Sequence, residues 1–454
     1  MNTAPSIFNN VLGPVMRGPS SSHTAAAVRI GLLARRLLGE EPVMAEFTFD
    51  RRGSLATTYR GQGSAMGLAA GLLGMDIKDR DLVKAEEKAA AAGLVIKYRI
   101  EDYGAGHPNT YRTLLRSATG KELRLTALST GGGIIRLTEL DGKVITDDLD
   151  YVNPLMPLPL KNDAVLPFTG LAELEELIGR KGGPLSSYAV DYEAALGDVT
   201  ATKIKTMARS HLNIMKDAIS AGLAGTEYAD RLLHRQSHLM SLLPPVGRLI
   251  PSDLTNSIIQ SVTAVMEVKS AMGLIIAAPT AGSCGTIPGV LMPAAKAAGS
   301  KEEDMTLALL AAGLTGVFIA RKGGFAAEEG GCQYECGSAS AMAAAALVEL
   351  MGGHASMSLN AASMALQNTL GMICDPVADR VEVPCLGKNI MAALNALAAA
   401  NMTIAGYRHV IPLEEVIEAM QEVGSGMDHK YRCTCKGGLS VTPTALRIHK
   451  NLGE

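Results

Sequence analysis

Apolar and polar positions change rhythm once along this chain, near residue 155. Before that point, short runs at 45–49, 93–100, 122–128 and 134–140 alternate or cluster as strands do, and 25–38 and 65–73 carry the three- and four-residue spacing of helices. From residue 170 onward nearly every segment has helical spacing, at 171–178, 201–224, 255–272, 305–320, 339–351, 361–372 and 390–403. Pro154, Pro157, Pro159 and Pro167 fall between the two textures and interrupt any regular element there. The pattern predicts an α+β protein: an α/β domain at 1–155 and a larger all-helical domain at 156–454.

Composition adds restraint to that picture. With 454 residues, 47% of them apolar, the chain can bury a large core. Its 48 glycines, 4% aromatic residues and lack of Trp predict helices packed closely through small side chains. A net charge of -3, with Lys and Arg scattered, predicts no nucleic-acid partner. The first twenty residues lack a basic region followed by an apolar run, so a cytoplasmic location is expected. The apolar stretch at 271–320 is broken by Pro279, Pro288, Pro293 and the charged run Lys301 to Asp304, which predicts buried helices and no membrane partner.

Chemistry enters with the cysteines. All seven lie after residue 283, an odd number that suits metal in a reducing compartment better than a disulfide scaffold. Cys332, Cys374 and Cys385 each stand at a glycine or proline break beside a helix, where a thiolate can turn inward. Their spacing alone leaves inert core thiols as an alternative, and Cys284, Cys336, Cys433 and Cys435 compete for any ligand role. Residues 18–24, Gly-Pro-Ser-Ser-Ser-His-Thr, precede a helix whose free amides their hydroxyls can cap, or where a carboxylate can bind. Within them His23 is a candidate acid or base. The glycine run at 129–133 follows a strand and reads as a turn or a second anion site. The loop at 280–286 offers donors but no nucleotide motif. His234 and His238 sit four apart on an expected helix without the glutamate of a zinc motif.

Together these segments resemble the iron-sulfur-dependent L-serine dehydratases over nearly the whole chain. The resemblance rests on residues 18–24; His107-Pro108-Asn109-Thr110; 129–133; 279–289; Glu329-Gly330-Gly331-Cys332-Gln333; Cys374-Asp375-Pro376-Val377; Glu382-Val383-Pro384-Cys385; and Gly437-Gly438-Leu439. It implies a [4Fe-4S] cluster on Cys332, Cys374 and Cys385, with an open iron as Lewis acid for loss of a β-hydroxyl from a small polar amino acid or hydroxy acid. Serine would then yield pyruvate and ammonium through an enamine. The resemblance further implies an α/β domain packed on a helical cluster domain, and a homodimer. Ser20, Ser21, Ser22, Thr24, Thr280, Gly282, Ser283 and Lys322 are the expected substrate contacts, His23 and Gln62 the expected catalytic pair, and His107, Asn109, Ser129, Gly131 and Gly132 an optional second anion site.

Three departures stand out. Gln62 replaces a family histidine and cannot carry a proton at neutral pH. The stretch 322–329 replaces a polar family segment, and 432–436 brings in Cys433 and Cys435 as candidate caps of the open iron. They predict a family-like cluster with an altered substrate shell. Elimination from a thiol amino acid or another β-hydroxy acid, or a silent binder or redox sensor, are the competing readings.

Overall fold

The computed structural model describes residues 4–452 apart from 162, 230, 243 and 245. Its chain begins with a π-helical turn, Ile7–Val11, and a two-residue strand β1, Val15–Met16. Ile7, Phe8, Val11, Leu12 and Met16 are fully buried in the core of the helical region. Ser6 caps the turn and donates to the buried carboxylate of Glu193, which also accepts from the backbone of Ile7 and Phe8. Residues 7–16 therefore pack with the helices, because five apolar side chains are buried there in the helical core.

Six further strands form one mixed sheet: β2 (Pro42–Asp50), β3 (Val95–Glu101), β4 (Thr110–Ser117), β5 (Glu122–Ser129), β6 (Ile135–Leu140) and β7 (Lys143–Val144). Their order is β3-β2-β4-β5-β6-β7, with β2 and β3 parallel and the remaining pairs antiparallel. One face buries Ala45, Phe47, Phe49, Tyr111, Leu115 and Ala127 against helices Ala26–Leu38 and Ser64–Leu72. Those two helices touch through backbone, since a Cβ on Gly71 would lie 2.2 Å from the carbonyl oxygen of Val28. The close approach fixes how the helix after the Ser-His-Thr turn lies on the sheet.

The larger region is built around Ser338–Leu350, a helix rich in alanine and buried on nearly every side. It packs among Thr286–Ala298, Glu302–Lys322, Ala355–Gln367 and Cys385–Ile404. Glu302–Lys322 is long and apolar enough to cross a membrane by composition, and 72% of its apolar window is buried inside the protein, as a core helix requires. The region is not purely helical, because β8 (Ile275–Ile276) pairs antiparallel with β1. Thr286–Ala298 contains Pro288 and Pro293; Pro288 lies in the first turn, where no intrahelical N–H is needed. The proline-rich boundary is pinned as well, with Leu158 exchanging two hydrogen bonds with the Asn9 side chain. His234 and His238 lie on no helix, so the expected shared face does not form.

Candidate functional site

Residues Ser21–Ala25 form a π-helical turn that runs directly into helix Ala26–Leu38. Ser20 caps it by accepting from the His23 N–H. His23 is fully buried, and burial holds its pKa below the usual imidazole value. Its hydrogen count follows from its neighbours. Thr58 Oγ1 donates its one hydrogen to Ser54 O at 2.7 Å, so the 2.7 Å contact to His23 Nε2 requires the imidazole to donate there. Nδ1 is then an acceptor, 3.2 Å from Ser20 Oγ and 3.1 Å from Ser22 Oγ. Ser22 Oγ donates to Glu328 Oε1 at 2.7 Å, and that oxygen lies 3.4 Å from Nδ1.

Another π-helical turn, Gln333–Gly337, follows Cys332 and runs into helix Ser338–Leu350. π-Helical turns are rare and concentrate at functional sites. Ligand atoms of Cys332, Glu335 and Cys374 lie within 4.8 Å of one another. Cys374 and Cys385 line one small cavity with Ser20, Ser22, Gln62, Gly282, Glu328, Glu335 and Cys433. Lys388 Nζ sits 3.7 Å from Cys332 Sγ, 2.9 Å from Asp375 Oδ1 and 2.7 Å from Ile373 O. In the buried thiol pair the first proton leaves Cys332, which is held down to about 7 by its hydrogen bond with Cys374 and by Lys388. Cys374 is pushed up by the same hydrogen bond. Burial pushes Cys385 up to about 12 and the Glu335 carboxyl up to about 8.

Three buried thiols and a carboxyl, with the part-buried Lys388 ammonium as counter-charge, form a donor set suited to a thiophilic metal group. Cys332, Cys374 and Cys385 are therefore the residues that fit an iron-sulfur cluster. Sequence reasoning passes over Glu335, Lys388 and Glu328, because their roles come from tertiary contact and no spacing rule marks them. Cys433 packs against Cys332 and Cys374, and its backbone N–H donates to Cys374 O at 3.1 Å. Cys433 and Cys435 both have left-handed backbones, at φ 55° and 58°. For L-residues that conformation is strained. Cys336 and Cys284 are buried as well, and burial together with the nearby Cys332, Glu335 and Cys385 pushes the Cys336 thiol up.

The expected substrate contacts divide. Ser20, Ser22 and Gly282 reach the cavity. Ser21 Oγ instead accepts from Ala281 N–H, Thr24 donates to Gln62 O, and Thr280 and Ser283 cap one another. Lys322 is corrected outright: it pairs on the surface with Glu414 and Glu418, because the helix ending there turns it away from the thiols. The second anion site does not open as a separate cradle. Ser129 Oγ donates to Ser22 O, His107 pairs with Glu329, and a Cβ on Gly131 would lie 2.7 Å from Ala326 N. Gly132 is similarly close to Pro279 O. Asn109 is fully buried, with neither side-chain polar atom hydrogen-bonded among the described residues. A wider polar pocket, lined by Arg52, His107, Glu329 and Arg432, shares Glu328 with the thiol cavity.

The family model for the serine dehydratase alpha chain matches residues 113–440. An L-serine dehydratase of Streptomyces coelicolor is 30% identical over 464 aligned residues, covering 93% of this chain and 96% of the relative. L-serine dehydratase 1 of Escherichia coli is 30% identical over 455 residues, with the same two coverages. The L-serine dehydratase alpha chain of Peptoniphilus asaccharolyticus is 40% identical over 205 residues, 45% of this chain and 70% of the relative. A match of this breadth, with the family model running through the segments that carry the thiols, makes the chain a member of the serine dehydratase family of lyases.

Proposed function

We propose that this protein is an L-serine dehydratase that converts L-serine to pyruvate and ammonium, with an iron-sulfur cluster held by Cys332, Cys374 and Cys385. The observation that carries the reading is that the π-helical turns Ser21–Ala25 and Gln333–Gly337 open onto one cavity, bringing the thiols to the hydroxyls beside His23. When bound, the cluster supplies a Lewis acid that assists departure of the β-hydroxyl. The chain's own residues handle substrate and proton. Glu328 Oε1, held by Ser22 and lying beside the acceptor nitrogen of His23, takes the α-proton. Lys388 balances the negative charge of the thiolates, and the burial of this set keeps water from the reacting carbon. Loss of the α-proton and the β-hydroxyl leaves an enamine, which takes up one water and gives the 2-oxo acid and ammonium. Substrate enters through the polar pocket beside Arg52 and Arg432. A cytoplasmic homodimer accompanies this reading.

The test is anaerobic reconstitution with iron and sulfide, followed by 2-oxo acid and sulfide assays over serine, threonine, cysteine and 2,3-dihydroxypropanoate. Pyruvate from serine at the highest kcat/KM is expected. Sulfide from cysteine with no turnover of serine would replace this reading by a desulfidase.

A further inference from the structure

Gln62 stands where proton chemistry was expected, and its surroundings give it a different task. It is 2% exposed and lines the thiol cavity. Its Nε2 is 3.2 Å from Asp379 Oδ1 and 3.5 Å from Cys433 Sγ, so both amide hydrogens are taken by the protein. Nothing among the described residues donates to its Oε1.

The orientation of the amide is enforced from behind. Asp379 is buried and accepts from the Gly61 backbone as well as from Gln62, while Arg380 donates to Gly61 O at 3.3 Å. The two residues grip one peptide from both sides. A Cβ on Gly61 would lie 2.2 Å from Asp379 Oδ2, so only glycine admits the grip. Ala378 and Asp379 hold left-handed backbones at φ 51° and 57°, a strain that persists where surrounding contacts over-determine it. Asp379 Oδ1 accepts from the nitrogen end of the Gln62 amide, and the oxygen is left for the cavity.

We propose that Gln62 Oε1, fixed by the Asp379–Arg380 clamp, accepts a hydrogen bond from the substrate's ammonium group and makes the site select an amino acid over the matching 2-hydroxy acid. The rest of the wall agrees with that class. Beside the thiols of Cys374, Cys385 and Cys433, the Ser20 and Ser22 hydroxyls and the Glu328 and Glu335 carboxyls are the other oxygen-bearing side chains lining the cavity, and all of them can accept. An ammonium brings three donors to such a wall, whereas a 2-hydroxyl brings one. Asp379 is a positioning residue here, acting through Gln62.

This inference rests on the dehydratase reading and is tested apart from it. The experiment measures kcat and KM for L-serine, and Ki for 2,3-dihydroxypropanoate, in wild type, D379N, D379E and Q62L, with iron content and cluster absorbance recorded for each. An asparagine at 379 can donate to Gln62 Oε1 and turn the amide around. In D379N the KM for serine is expected to rise about ten-fold or more, the loss of one charge-assisted hydrogen bond, with Ki for the hydroxy acid and the cluster absorbance unchanged. D379E is expected to recover most of the wild-type KM, and Q62L to match D379N even if D379N fails to fold. Unchanged KM in Q62L, or equal losses for both ligands at intact iron content, would overturn the clamp. Absence of pyruvate from wild type would instead overturn the dehydratase reading.

Discussion

The two π-helical turns that open onto the cavity share a geometry and differ in chemistry. Ser21–Ala25 and Gln333–Gly337 each lead into a thirteen-residue helix. The first carries hydroxyls and an imidazole held in a hydrogen-bond chain that runs from Ser20 through His23 and Thr58 to Ser54. The second follows Cys332 and carries Glu335, beside a thiol pair whose charge is balanced by Lys388. One side is therefore a rigid positioning wall and the other an electrostatically tuned thiol wall, the metal wall of the proposed function. Glu328 is the bridge between them, since it lies four residues before Cys332 in sequence and takes the Ser22 hydroxyl in space.

The largest effect falls on the metal wall. Cys332→Ser is expected to lose iron and at least about a thousand-fold in activity while far-ultraviolet circular dichroism stays native, because the ligand is removed and the small-residue core is untouched. Retention of cluster absorbance in this variant would contradict the ligand assignment. Next comes the bridge: Glu328→Gln keeps the hydrogen bond to Ser22 but cannot accept a proton, and kcat should fall about a hundred-fold with iron content unchanged. A fall in iron content to match would move Glu328 to the metal wall.

Glu193 tests whether the N-terminal turn belongs to the helical region. Burial pushes its carboxyl up to about 7, above the unfolded carboxylate range. A raised folded pKa means its contribution is full below about pH 4.5 and is lost as pH rises through about 7, on the order of 3 kcal/mol. Glu193→Gln should flatten that part of the stability profile in urea unfolding between about pH 5 and 7.5. An unchanged slope would detach Glu193 from the turn's stability. The smallest effect is expected at Lys322, where Lys322→Ala should leave kcat/KM within about two-fold and change stability by under about 1 kcal/mol, as an exposed ion pair does.

Much of this was legible in the sequence where one local rule sufficed. The helices at 201–224 and 255–272 match Ala201–Ala224 and Asp253–Ser270 within two residues, because their apolar stripes face a single core. β4 was hidden by its composition: the buried face includes Tyr111 and Thr113, which do not read as apolar beside Arg112 and Arg116. Thr286–Ala298 was hidden by its prolines. In the site, the three cysteines and the Ser-His-Thr turn were legible through the resemblance of the segments around them, since the cysteine spacing alone leaves inert thiols as an alternative. Asp379 and Glu335 do not, since a carboxylate gains its role only when the fold buries it against Gln62 or a thiol. Lys322 was misplaced for the same reason: its nearness in sequence to Cys332 says nothing of the direction its helix gives it.

The central claim is that the two walls together make a serine-dehydrating centre that depends on the thiols. Its most direct measurement is the pyruvate formed from L-serine by anaerobically reconstituted protein, set against iron bound per chain. The account predicts activity that rises with iron to about four per chain and disappears in Cys332→Ser. Protein carrying that iron and forming no pyruvate from serine would contradict it.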